Sequence, residues 1–566
     1  MNRPERVRGL DLADLSARFG GRAAAEAGVS EGSGVRVTGV TLDSRRVRSG
    51  DLYAALPGAN VHGASFAAQA CAAGAAAVIT DAQGAAIIER DHAASVPVIV
   101  VDDPRAVLGE LGAEVYGHPS DTLDMVGITG TNGKTTTAYL VESAWRALGR
   151  VTGLIGTIET RVAGESLRSA FTTPESPDLQ ALLALMAERG VEHTVMEVSS
   201  HALALHRVDA VAFDTAVFTN LSQDHLDFHG TMENYFEAKA SLFTPERATR
   251  AVVCVDDRWG RRLARETDIP VISLATPAWR EGGDSGGDGE PGFTPDYRLV
   301  RDEAGTGAFA LVRESGRAEP SELSDLPERL ELVSALPGAH NQINTALAAL
   351  VLLSSGCSRE EIEQAMSVRP TVPGRMERVE LKPADTRDTS DASRADEALD
   401  VPVAVVDFAH TPDAIEATLH ALAPLARRRG GPLVAVLGAG GNRDHGKRPL
   451  MGAAATSVAD VVVVTDDNPR REDPVAIRAA VAAGAREAAQ KREHVGAGAP
   501  VVLEIEGRAT GIAAALERAG SAGVVAVLGK GHESTQIIGD TVHPFDDRAV
   551  LAQAWNDLNT TAGREA

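Results

Sequence analysis

Gly130-Thr131-Asn132-Gly133-Lys134-Thr135-Thr136 is the segment whose residue types and spacing bear most directly on chemistry. Its glycines let backbone N–H groups face an anion, Lys134 is placed to reach β- and γ-phosphates, and the Thr135 hydroxyl can ligate Mg2+. The strict phosphate-loop pattern asks for Gly six residues before the lysine. Ile128 stands there, so the loop is a variant. An ordinary glycine turn is the competing reading. It explains less well why a buried strand, Met125 to Thr129, precedes the loop and an amphipathic run through Leu140 and Leu148 follows it. Strand, glycine loop and helix in that order bring a helix N-terminus to the anion.

Further polar groups follow at strand ends. Glu197 closes a strand from His193, where a Mg2+-binding carboxylate belongs beside a phosphate loop; a solvent-facing acid is the simpler reading of it alone. Phe218 to Gly230 packs two His and two Asp into one short stretch, a candidate polar site. Lys239 lies in a helical segment, Tyr235 to Ala240, and chemistry alone reads it as a surface charge. Near the C-terminus, four strand-like runs end at Asp407-Phe408-Ala409-His410, Gly438-Ala439-Gly440-Gly441-Asn442-Arg443, Asp467-Asn468-Pro469-Arg470 and Gly529-Lys530-Gly531-His532-Glu533. Each alone is a turn, but open parallel sheets bind ligands at the carboxyl ends of their strands. Arg470 offers a planar fork for a carboxylate, and Asp467 and Asn468 can receive an ammonium, which together suit the polar end of an amino acid.

Positioning these groups requires layered α/β architecture. β-rich runs alternate with Ala/Leu-rich helical segments, predicting parallel sheets, and 566 residues exceed one core. Breaks at His118-Pro119-Ser120 and at Pro370, Pro373 and Gly374 divide the chain into 1–120, 121–370 and 371–566. The expectation is α/β with three domains: an N-terminal domain, a central P-loop ATPase-like parallel sheet and a C-terminal Rossmann-like doubly wound sheet. Stretches 280–292, 383–400 and 491–500 read as solvated loop insertions. The 79 acidic against 55 basic residues give a net charge of −24, which argues against nucleic-acid or anionic-membrane partners. Any polyphosphate must therefore be held by local geometry. Three dispersed cysteines and a charged, mixed N-terminal stretch fit a reducing, cytoplasmic location. Nothing specifies an oligomer, and a monomer is expected.

GTNGKTT, MEVSSHAL, NLSQDHLDFHG, FEAKASLF and GAHNQINTALAAL, in that order, resemble the ATP-dependent Mur ligases of peptidoglycan synthesis. The resemblance implies ATP at Gly130 to Thr136 with Asn341, and two Mg2+ ions with Thr135 and Glu197 on the first and His225 and Lys239 on the second. Lys239 would carry a CO2-derived carbamate as N6-carboxylysine. Lys134, Glu197, His225 and Lys239 are then the catalytic set. TLDSRRVRSGDLYAALPG resembles the family's uridine-nucleotide segment, placing Leu42 and Ser44 at a UDP-sugar, with Asn60 nearby. Thr172, Thr173, Ser199 and Arg207 match positions that hold the sugar-peptide. DNPR is similar to the signature of members that add meso-diaminopimelate, implying contacts from Arg443, Asp467, Asn468, Pro469, Arg470, Gly529 and Glu533. The implied substrates are ATP, meso-diaminopimelate and UDP-MurNAc-L-Ala-D-Glu, the UDP-MurNAc-dipeptide. A ligase adding D-Ala-D-Ala or folate glutamates is expected to lack DNPR and TLDSR, and no Asn-Lys-x-Asp segment supports a guanine-nucleotide switch.

Overall fold

The computed structural model describes residues 3–19, 34–167, 172–277, 293–302, 307–314, 326–368, 370–382, 401–442, 444–494 and 499–565. Three large sheets carry it. The first is four parallel strands in sequential order, Gly39–Thr41, Asp51–Ala55, Ala77–Thr80 and Val98–Val100. The 42–50 stretch is thus a crossover between parallel neighbours. Alternate residues of the second strand feed opposite cores, Leu52 and Ala54 against Leu108 and Leu111, Tyr53 and Ala55 against Ala64 and Ala67.

The central sheet has eleven strands, and Asp124–Thr129, which leads into the phosphate loop, lies in its middle. It pairs in parallel with His193–Glu197 on one side and Phe213–Phe218 on the other. That is the point where the connections change direction, the place open α/β sheets reserve for ligands. Val126 and Ile128 point into one core with the helices Lys134–Ala147 and Ala339–Ser354, whereas Met125 joins the core under Ser176–Glu188. Strands buried on both faces explain why this segment reads as a continuous apolar run.

The C-terminal sheet orders its parallel strands Val403–Asp407, Val524–Leu528, Leu433–Leu437, Val461–Val464 and Val501–Glu504, with antiparallel Glu377–Val379 at one edge. Helices cover both faces: Ile415, Met451 and Val481 pack on one, Ile512, Leu516 and Trp555 on the other. The expected doubly wound arrangement is observed. One local reading changes. Helix Pro474–His494 continues through residues expected to form a loop from 491, its last turn carrying Lys491, Arg492 and His494 where cations suit the helix dipole. Residues 280–292, 383–400 and 495–498 lie outside the described residues. No described helix is long and apolar enough to cross a membrane.

Candidate active site

The phosphate loop is shaped by two glycines with left-handed backbone. Gly130 has φ +141° and packs so closely on Thr219 that a side chain would collide with its hydroxyl. Gly133 has φ +90°, and a Cβ there would lie 2.5 Å from Asn344 Oδ1. Asn220 staples the loop: its Oδ1 accepts from Asn132 N at 3.0 Å and its Nδ2 donates to Asn132 O at 3.1 Å. The amides of Thr131 and Asn132 are therefore engaged. The amides free of intrahelical acceptors are those opening the helix Lys134–Ala147, from Gly133 to Thr136, and they form the anion-facing end. Asn341 lies in the first turn of its own helix, donating to Pro337 O at 2.8 Å and accepting from Asn344, which touches Thr137.

Glu197 is 1% exposed rather than solvent-facing, because its strand ends beneath the loop. Oε2 accepts from Thr135 Oγ1 at 2.8 Å and Thr157 Oγ1 at 3.1 Å, and Oε1 from Thr157 N at 2.8 Å. A carboxylate and a hydroxyl side by side are hard oxygen donors of the kind Mg2+ takes. Thr172 bonds Thr157, while Thr173 donates to Glu197 O at 2.9 Å and lies 3.5 Å from Ser199 Oγ. Ser199 caps the short helix after the strand, accepting from Ala202 N at 3.1 Å.

Lys239 corrects the surface-charge reading, since it is only 1% exposed. The helix Met232–Ala240 packs Tyr235 and Phe236 inward, and Lys239 is one turn on from Tyr235, so its stem follows them into the core. Its Nζ donates to Gly130 O at 2.8 Å, the carbonyl that Lys134 Nζ also holds at 2.9 Å, and lies 3.5 Å from Thr129 Oγ1. Burial, reinforced by Lys134, pushes its pKa well below the ordinary lysine value. Burial likewise lowers Lys134. His225 has φ +53° and stacks edge-on against His201, with burial holding it down to about 4. Its neighbour Asp224 stays below the usual carboxylate range: burial opposes this, and His225, Lys447 and His410 together outweigh it.

Two cations of this site were missed in the sequence. Arg375 Nη2 donates to Thr135 Oγ1 at 3.2 Å and lies over the Phe408 ring. Among the described residues its buried Nη1 has no partner, an orphaned donor beside the phosphate loop that suits an anion. Lys447 Nζ lies 3.7 Å from Asp224. Both belong to segments after residue 370 and meet the loop only through folding. The mouth of the phosphate loop thus gathers Lys134, Arg375 and Lys447, with the buried Lys239 amine, against Glu197 and Asp224. Among the described residues no three of His, Cys, Asp and Glu converge here. The one such group, Glu110 and Glu114 of another helix with His118 just past its end, has both acids paired with Arg18.

The N-terminal sheet meets this centre at its edge. Ser44 donates to Gln69 Oε1 at 3.1 Å, Leu42 is half-buried against the N-terminal core, and Arg46 reaches Asp178 at 3.3 Å. Glu175 takes Arg207 on Oε1 at 2.8 Å and Arg105 on Oε2 at 3.0 Å, so the guanidinium expected at the sugar-peptide is tied to the N-terminal sheet unit. Gly109 and Gly112 let that unit's helix Leu108–Tyr116 approach Asp209 and Gln180 without side chains between.

The C-terminal strand ends converge as expected. Asn468 Nδ2 donates to Glu533 Oε2 at 2.9 Å, and Gly441 N donates to Asn468 O at 2.9 Å. Arg470 adopts a left-handed backbone at φ +52°, uncommon for a non-glycine residue, and is held there by Ile537 O and Gly539 N of a hairpin. Its Nη1 donates to Gly441 O at 2.8 Å. Gly529, at φ +111°, passes so close to Asp467 that a Cβ would sit 2.7 Å from Oδ2. Pro469 lies against Gly441. Arg443 is outside the described residues.

Comparison with known proteins gives three successive matches. Residues 36–116 match the "Mur ligase family, catalytic domain", 128–278 the "Mur ligase middle domain", and 394–531 the "Mur ligase, glutamate ligase domain". A protein of Streptomyces coelicolor named UDP-N-acetylmuramoyl-L-alanyl-D-glutamate--2,6-diaminopimelate ligase is 47% identical over 555 residues, 98% of this chain and 97% of the relative. One of the same name from Corynebacterium glutamicum is 43% identical over 524 residues, 92% of each. A solved structure of a ligase of that name aligns with a TM-score of 0.56 and 28% identity, over 92% of this chain and 95% of the other. Crystal structure I of MurF from Acinetobacter baumannii shares the fold at TM-score 0.59 and 16% identity, over 97% and 99%.

Proposed function

The chain belongs to the Mur ligase family, and within it we propose an ATP-dependent amide ligase that joins meso-diaminopimelate to the D-Glu γ-carboxylate of UDP-MurNAc-L-Ala-D-Glu, in peptidoglycan precursor synthesis. The observation that carries this reading is the convergence of loops at the strand ends of the C-terminal sheet, where Asn468 bonds Glu533 and Arg470 bonds Gly441 O. These loops supply a guanidinium and carboxylates, groups suited to an amino acid's carboxylate and ammonium. Residues 1–120 are assigned to the UDP-sugar, 121–370 to ATP and 371–566 to the incoming amino acid.

The γ-carboxylate attacks the ATP γ-phosphorus, the bond to the β,γ-bridging oxygen breaks, and ADP leaves an acyl phosphate. The diaminopimelate amine then attacks the acyl carbon, phosphate departs with the C–O electron pair, and the amine loses a proton as the amide forms. Lys134, Arg375 and the amides of Gly133 to Thr136 face charge that spreads over the transferring phosphoryl group. Arg207, steadied by Glu175, orients the sugar-peptide with Thr172, Thr173 and Ser199, while Leu42 and Ser44 hold the uridine end. Thr135 and Glu197 would hold one Mg2+; His225 and a carbamate on Lys239 would hold a second. Bound there, the ions would offset phosphoryl charge. Lys239 fits this chemistry because burial and the nearby Lys134 push its pKa well below the ordinary lysine value, favouring the uncharged amine, the form that adds CO2 with loss of one proton.

Phosphate release should require UDP-MurNAc-dipeptide, ATP and meso-diaminopimelate together. Equal release without the amino acid would assign the chain to nucleotide hydrolysis instead.

A further inference from the structure

Lys530 is 0% exposed. A buried ammonium is costly unless its donors are satisfied, and here two of its three bonds run to Asn468 and Glu533, the third to the carbonyl of Thr535. Nζ donates to Asn468 Oδ1 at 3.3 Å, Glu533 Oε2 at 3.0 Å and Thr535 O at 2.6 Å. Asn468 Oδ1 also accepts from Ile537 N at 3.0 Å, so its amide is oriented with Nδ2 toward Glu533. Both described bonds to Glu533 reach Oε2, which leaves Oε1 as an acceptor on a half-exposed side chain. We propose that Lys530 is the positioning residue for the distal ammonium of the incoming amino acid: it does not touch the ligand but fixes Glu533 and Asn468 so that Glu533 Oε1 receives that ammonium.

The inference rests on the diaminopimelate reading above, including the Glu533 contact it implies, and adds Lys530 as the residue that orients that contact. A Lys530 with only a role in the fold would affect every substrate alike. A positioning role predicts a loss confined to ligands that carry the distal ammonium.

The test compares meso-diaminopimelate with 2-aminopimelate, which lacks that amino group, in the full-length enzyme with ATP and UDP-MurNAc-dipeptide. In Lys530→Met the kcat/KM preference for meso-diaminopimelate should fall by about tenfold or more, the worth of a charge-assisted hydrogen bond. The KM for ATP and the kcat/KM for 2-aminopimelate should each stay within about threefold. Lys530→Gln, which keeps donors but no charge, should fall between. A preference unchanged in a folded, ATP-binding variant overturns the proposal. So does failure of both variants to fold, which would assign Lys530 to the fold alone. Wild-type enzyme that releases no phosphate with meso-diaminopimelate would instead overturn the underlying reading.

Discussion

Lys239→Ala separates a carbamylated lysine from a merely buried one. Among the described residues the Lys239 amine has only neutral hydrogen-bond partners, Gly130 O at 2.8 Å and Thr129 Oγ1 at 3.5 Å. Each such bond contributes about 1 kcal/mol net, and removing a buried amine relieves its desolvation. Unfolding stability should therefore change by no more than about 2 kcal/mol. Catalysis should change far more. A carbamate here places a negative charge beside Lys134, at a site where loss of one preorganised group costs about 100- to 1,000-fold in kcat, roughly 3 to 4 kcal/mol. Steady-state phosphate release with all three substrates reads the effect. Formate or acetate, small enough for the space the side chain leaves, should restore part of the rate, and the parent enzyme should lose activity when stripped of CO2. Near-parental kcat in the alanine variant would refute the reasoning.

Arg470→Lys replaces a planar fork by a point charge and should raise the diaminopimelate KM by about 10- to 100-fold while leaving that of ATP nearly unchanged; equal effects on both would remove Arg470 from amino-acid selection. Arg375→Ala should lower kcat about 100-fold with the UDP-substrate KM little altered, because its guanidinium meets Thr135 at the phosphate loop and not the sugar-peptide segment; an unchanged kcat would contradict this. His229 is 8% exposed, bonded to Ser200, and held by burial at about 4, below its ordinary 6.5. The unfolded chain binds that proton first, so stability falls as pH drops from 6.5 toward 4, by about 3 kcal/mol in full, with no contribution above 6.5. Denaturant titrations should show a shallower acid loss in His229→Gln than in the parent; parallel profiles would contradict the assignment.

The sheets were legible because their strands are buried on both faces and read as apolar runs, as in Met125 to Thr129 and Val461 to Val464. The phosphate loop was legible because glycine spacing and Lys-Thr are local. Burial was not. Glu197 and Lys239 each read as solvent-facing from their own neighbourhood, and only the packing of their elements beneath the loop turns them inward. Arg375 and Lys447 were missed for the same reason, since both come from segments distant in sequence. The one local signal was their place just after glycine turns, Gly374 and Gly446. The net charge of −24 proved silent about this centre, where Lys134, Arg375 and Lys447 gather against two carboxylates.

Mass spectrometry of the reaction product tests the central claim most directly. Purified enzyme, UDP-MurNAc-L-Ala-D-Glu and ATP are incubated with meso-diaminopimelate or with L-lysine at equal concentration. The account predicts a product equal in mass to the UDP-dipeptide plus diaminopimelate less one water, formed stoichiometrically with phosphate, and almost none with lysine, which lacks the second, distal carboxylate for Arg470. Equal yields from the two amino acids, or phosphate without a ligated product, would contradict it.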